Sequence, residues 1–82
     1  MAILLYTRRG CHLCEQAEDM LAGGRADVRL IDVDSNADAL SRYDLRVPVL
    51  EIDGRVVLEG RFDERVLAAA LAAAAANLRD RG

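Results

Sequence analysis

The dipeptide Asp53-Gly54, set between "VPVLEI" and "RVVLE", restricts the fold of this chain more than any other short feature. A two-residue hairpin needs positive φ at both central positions, and Asp-Gly is among the few pairs that adopt it at little cost. The flanking Val, Leu and Ile residues suit a pleated, half-buried surface. An antiparallel strand pair is therefore predicted in the second half of the chain. Upstream, "AILLY" (residues 2–6) is an unbroken apolar run of the kind buried on both faces of a sheet, and it stops at "TRRG". "CEQAEDMLA" then carries good helix formers, with Leu13, Ala17, Met20 and Leu21 at helical spacing, until Gly23-Gly24 ends the pattern. That helix should start at or near Cys11. "DVRLIDV" follows as a second strand, in which Val28 and Leu30 alternate with polar neighbours before Ile31 and Val33 blur the facing. Strand, helix, strand predicts a right-handed crossover and a parallel pair.

A short helix is expected through "NADALSRY", capped by Asp34 or Ser35, with Ala37, Leu40 and Tyr43 turned inward and Pro48 marking its far side. Asp63 is placed to cap a last helix, with Phe62 just outside and Leu67 four positions in as a hydrophobic staple. Val66, Leu67, Ala70, Leu71, Ala74 and Leu78 would supply its core face, and the alanine run reads as helix former. The order is strand, helix, strand, helix, strand, strand, helix, an α/β arrangement without internal repeat or linker. A length of 82 residues at 52% hydrophobic suits one small domain, residues 1–82, with a modest core.

Charge and hydropathy narrow the function classes. The net charge is −3 and the eleven basic residues, all arginine, are scattered, so neither a nucleic-acid surface nor an acidic-membrane surface is signalled. "MAILLY" lacks a basic leader, and the apolar run Val66 to Ala76 is well short of the roughly 20 residues a membrane span needs. A soluble, cytoplasmic, monomeric protein is the expectation.

Cys11 and Cys14, in "RRGCHLCEQA", are the candidate chemistry. Cys11, His12 and Cys14 supply three soft ligands, but a structural zinc site closes with four, and the chain has no other Cys or His. Zinc would need a carboxylate or a second molecule, as in a metal-mediated dimer. A permanent staple is poorly placed: closing so short a loop stabilises by roughly 2 kcal/mol, against nearly 5 for a hundred-residue loop. Redox exchange fits the spacing. On the first turn of a helix, residues three apart lie on one side, about 5 to 6 Å apart, within disulfide reach. If Cys11 sits at the helix N-terminus, free amides and the helix dipole favour its thiolate, with Arg8 and Arg9 adding positive potential. Cys11 is then the attacking sulfur, and Cys14, deeper in the helix, the resolving one.

With these residues the chain resembles the glutaredoxin-like branch of the thioredoxin fold. The resemblance runs through "LLYTRRGCHLC", "RVPVLEIDG" and "GRFDE", and the Cys-x-x-Cys gains weight from Val47-Pro48 at the start of a later strand. It implies a four-stranded mixed sheet with three helices, a cis peptide at Pro48 facing the cysteines, and a thiol-disulfide oxidoreductase active in electron transport. No bound cofactor is implied. Glutathione is a candidate co-substrate, and protein disulfides and a thiol reductase are the expected partners. Substrate-binding positions carried over are Arg8, Val47, Pro48, Gly60 and Asp63. The departures bear on glutathione: His12-Leu13 replaces the usual Pro-Tyr, Arg8-Arg9 replaces lysine and proline, Arg46 replaces the threonine of Thr-Val-Pro, and Gly60-Arg61-Phe62-Asp63 stands where the family commonly has Gly-Gly-x-Asp. Redox chemistry carries over better than the glutathione partner.

Competing plain readings attach to several of these residues. His12 either tunes the thiolate or is an exposed first-turn histidine. Arg8 and Arg61 either meet a carboxylate or are solvated, and Gly60 and Asp63 are already explained by turning into and capping the last helix. A non-catalytic binding module that kept the fold, using a groove around Cys11 and Pro48, is the alternative of another class.

Overall fold

The computed structural model describes residues 2–23 and 27–81, with the side chains of the last helix described through Ala76. The elements are β1 (Ile3–Thr7), α1 (His12–Ala22), β2 (Val28–Asp32), α2 (Ala37–Tyr43), β3 (Val49–Ile52), β4 (Arg55–Glu59) and α3 (Glu64–Arg81), with single 3-10 turns at Val33–Ser35 and Asp44–Arg46. The strands form one mixed sheet in the order β2-β1-β3-β4. β1 runs parallel to β2 and antiparallel to β3, and β3 and β4 form the hairpin. Asp53 and Gly54 both have positive φ, 52° and 82°, as a primed two-residue turn demands.

The strand period of two divides the core between the faces of the sheet. Ile3 and Leu5 of β1 and Leu50 and Ile52 of β3 pack with Ala17 and Leu21 of α1 and with Phe62, Leu67 and Leu71 at and within α3. Tyr6 and Val49 point the other way and pack with Val33, Ala39 and Tyr43 around α2. Central position explains the apolar runs, since β1 and β3 are covered on both faces. Leu30 belongs to the edge strand β2 and is 53% exposed, which resolves the blurred facing read from the sequence.

Three sequence expectations are corrected. The cap of α2 is neither Asp34 nor Ser35 but Asn36, whose Oδ1 accepts the Ala39 amide at 3.0 Å. Asp32 accepts the Asp34 amide and holds residues 33–35 in a separate 3-10 turn, so the helix starts later and its inward face shifts. Ala39 and Tyr43 are buried, Leu40 is half-buried and Ala37 is exposed. In α3, Val66 is 43% exposed because Leu67 and Leu71 take the inward face, while Leu78 lies outside the described side chains. The Asp63 cap is as expected: its Oδ1 accepts the Val66 amide at 2.8 Å, with Phe62 and Leu67 sharing one cluster.

The α2 face also buries a carboxylate. Glu51 on β3 is 5% exposed and receives the hydroxyls of Tyr6 (3.3 Å) and Tyr43, while Arg42 approaches its Oε2 at 3.5 Å. The Tyr43 pKa is raised, first by its bond to Glu51 and then by burial. Arg42 also lies over both rings, 5.7 Å from the Tyr6 centroid and 5.0 Å from that of Tyr43. A hydrogen bond to a charged acceptor contributes about 1.5 to 3 kcal/mol, and its loss leaves buried charge less satisfied. Tyr43→Phe is accordingly expected to lower unfolding free energy by about that amount in urea titrations at neutral pH. An unchanged midpoint would show that the pair contributes nothing net.

Candidate functional site

The site forms where β1 hands over to α1. Gly10 adopts φ +73°, the left-handed backbone that an L side chain strains to reach, and turns the chain out of the strand. Cys11 follows in an extended conformation as the N-cap of α1. Its Sγ accepts the Cys14 amide at 3.2 Å and its carbonyl accepts the Glu15 amide at 3.0 Å. The sulfur thus fills the capping place usually held by a Ser or Asp oxygen, where amide donors favour negative charge. Cys11 is partly exposed, Cys14 has no exposed surface, and both thiols are free.

Burial and the neighbouring Cys11 sulfur push the Cys14 thiol up to about 11, while the Thr7 hydroxyl and the Arg8 backbone act in the opposite direction. One turn along α1, Glu18 is half-buried and accepts the Thr7 hydroxyl at 2.7 Å. Thr7 is only 8% exposed and continues the Ile3, Leu5 alternation onto the α1 face. His12 is exposed, and its Nε2 lies 3.1 Å from the Gln16 side-chain nitrogen one turn along the helix. Among the described residues no group of three His, Cys, Asp or Glu side chains is arranged to hold a metal ion.

Arg8 has a more constrained place than the sequence suggests. Its Nε and one terminal nitrogen grip both oxygens of Asp34 at 3.0 Å, and it reaches the Asp44 carboxylate at 2.7 Å and the Asp44 carbonyl at 3.1 Å. These bonds, Asp34 first, raise its pKa further above the usual guanidinium range. Arg8 is thus a strut joining the end of β1 to the two 3-10 turns, one on each side of α2. Arg46 pairs with Glu59 across to β4 and stacks 5.3 Å from the Tyr43 centroid.

The remaining predicted positions fall on the segment leading into β3 and on the turn after β4. The Val47–Pro48 bond is cis, Pro48 is fully buried and Val47 packs on the α2-side cluster. The Pro48 carbonyl accepts the Gly60 amide at 2.9 Å, which ties these two segments together. Asp63 uses a carboxylate oxygen as the α3 cap. Sequence reading missed Thr7, Glu18, Asp34 and Asp44. For Glu18 a signal existed, since it stands four residues after Cys14 on the same helix face. The Asp34 and Asp44 contacts span long sequence separations and carried no local signal.

A mixed four-stranded sheet with a Cys-x-x-Cys at the first helix and a cis-proline before the third strand is the thioredoxin-like arrangement. The chain belongs to the family described as the glutaredoxin-like domain (DUF836), whose model matches residues 2–72. Among solved structures it is similar to target protein XcR50 from X. campestris, with 43% identity over 88% of this chain and 97% of that one and a TM-score of 0.76. It is also similar to a mutant of the thioredoxin-like protein BC3987, at 28% identity over 84% of this chain and 97% of that chain, with a TM-score of 0.67. Protein Ne2328 from Nitrosomonas europaea is 27% identical over 82% of this chain and 86% of its own, with a TM-score of 0.60. No curated protein matches the chain.

Proposed function

We propose that this protein is a small thiol-disulfide oxidoreductase that shuttles two electrons through Cys11 and Cys14. The observation that carries this reading is the division of labour between the sulfurs: Cys11 is accessible and accepts a helix-terminal amide, while Cys14 is buried and protonated three residues on. In the forward direction the Cys11 thiolate attacks a substrate disulfide, forms the Cys11 mixed disulfide and releases one substrate thiolate. Cys14 then attacks Cys11, closes the internal disulfide and releases the second thiolate. Protein disulfides are the proposed substrates, and a thiol reductase in the cytoplasm returns the electrons.

Glutathione is the weaker partner in this reading. The guanidinium of Arg8 that would meet a glutathione carboxylate already holds two aspartates, so a third anion arriving there would meet net negative charge. The test compares reduction of the oxidised protein by glutathione and by a thioredoxin with its reductase, alongside turnover on a generic protein disulfide. Turnover with slow reduction by glutathione is expected. Rates typical of glutaredoxins would overturn the partner assignment, and a dithiol inert toward every disulfide would favour the binding module.

A further inference from the structure

We infer that the groove between α1 and the edge strand β2 selects disulfide substrates whose cysteine is flanked by a cationic and an aliphatic side chain; this rests on the exchange reading above. Parallel pairing sets the floor of the groove. Leu30 stands opposite Leu5 and Asp32 opposite Thr7, so Leu30 and Asp32 share the face of the sheet on which α1 packs. The helix covers the central strand and leaves the edge open: Leu5 has no exposed surface, while Leu30 is 53% exposed. Glu15 and Glu18 of α1 form one wall, Arg9 and Gly10 close the end, and the groove so formed has a volume of about 410 Å³ and is open to solvent.

Position ties this groove to the exchange chemistry. Gly10, on its wall, is the residue before Cys11, so the groove runs up to the attacking sulfur. An extended chain advances about 3.3 to 3.6 Å per residue, which brings the residues one or two places from a target cysteine into the groove once that cysteine meets Cys11.

Charge decides what fits there. Glu15, Glu18 and Asp32 face the groove against Arg9, because Arg8, the other arginine on its wall, is held by Asp34 and Asp44. Among the described residues none of the three carboxylates takes part in a salt bridge. Glu18 accepts the Thr7 hydroxyl, and Asp32 accepts the Asp34 amide and the Ser35 hydroxyl, neutral donors that leave the negative charges in place. A guanidinium or ammonium group entering the groove is attracted by all three, and a carboxylate is repelled. Between them the open Leu30 offers apolar contact to an aliphatic side chain. The groove therefore complements an extended cationic segment carrying an aliphatic residue.

The test mixes the reduced, full-length protein with short peptides that carry one cysteine as the same pyridyl mixed disulfide and differ only beside it: arginine with leucine, glutamate with leucine, or arginine with serine. The Cys11 thiolate attacks the peptide sulfur, the Cys11–peptide disulfide forms, and the aromatic thiolate leaves with the electron pair of the broken bond and is read by its absorbance. Cys11 and the leaving group are common to all peptides, so their reactivity cancels in a ratio of rates. At an ionic strength of about 0.01 M the arginine–leucine peptide is expected to react about tenfold faster than the glutamate–leucine peptide, with the ratio falling toward one at about 1 M. E15Q and D32N should each lower that ratio, whereas D27N, which removes the same charge just before β2 at the far end of the sheet, should not. Exchanging the peptide leucine for serine should slow the wild-type protein about fivefold and L30A hardly at all, the coupling expected of a direct contact. Equal rates or a preference for the glutamate peptide at low salt, or a loss in D27N as large as in E15Q, would overturn the groove assignment while leaving the exchange reading intact. A wild-type dimer that L30A dissociates would give the groove to a second copy of the chain and overturn it as well. A wild-type protein that forms no mixed disulfide on Cys11 with any of the peptides would overturn both readings.

Discussion

Cys11→Ser is expected to abolish disulfide exchange, whereas Cys14→Ser should still attack a disulfide substrate and stop at a stable mixed disulfide. The asymmetry follows from position. Cys11 is the accessible N-cap, with the Cys14 amide 3.2 Å from its sulfur, and Cys14 has no exposed surface and a thiol pushed up to about 11 by burial and by Cys11. At neutral pH almost none of Cys14 is therefore the reactive thiolate, and because its burial persists in Cys11→Ser, its alkylation there should be slow at neutral pH and should climb as pH rises. In Cys14→Ser, the accessible Cys11 should be alkylated faster at neutral pH than Cys14 is in Cys11→Ser. Mass spectrometry of the trapped adduct and alkylation rates against pH for both variants check this. A faster Cys14 at neutral pH would reverse the assignment of attacking and resolving sulfurs.

Leu50→Ala should cost about 3 to 5 kcal/mol of unfolding free energy, the upper part of the range for leucine truncations in cores. Leu50 is fully buried on the central strand β3, stands directly opposite the fully buried Leu5 of β1, and belongs to the cluster that receives both α1 and α3. With backbone ladders on both sides of β3, the strand has little freedom to collapse into the cavity. A domain of this size commonly has only about 4 to 12 kcal/mol in total, so the variant should sit near the edge of folding. Urea unfolding with an unchanged slope measures the loss. A cost below about 1 kcal/mol would mean that the α1 and α3 layer closes over the gap, contrary to the packing described.

How far the fold was legible depended on whether its signals were local. The Asp53-Gly54 hairpin, the Asp63 cap, the Phe62–Leu67 staple and the helix beginning at Cys11 each rest on residues within a few positions of one another, and each is present. The α2 start was misread within the same kind of local signal. Asp34, Ser35 and Asn36 are all competent caps, and only the competing use of Asp32 to hold residues 33–35 selects Asn36.

Periodicity and turn chemistry along the chain determined the element order, a parallel strand pair, the hairpin and the position of both cysteines on the first turn of α1, while their union in one mixed sheet was implied by the resemblance. Tertiary structure alone decided which charges are free and which are spent. Arg8 reads in the sequence as one of eleven scattered arginines, yet folding brings it against Asp34 and Asp44, both far along the chain. Glu51 reads as a strand's polar position and becomes a buried acceptor only because Tyr6 and Tyr43 converge on the same face of the sheet. The reason is physical: backbone preferences and hydrophobic period act over a few residues, whereas the pairing of charges and hydroxyls depends on distances set by sheet register and helix packing.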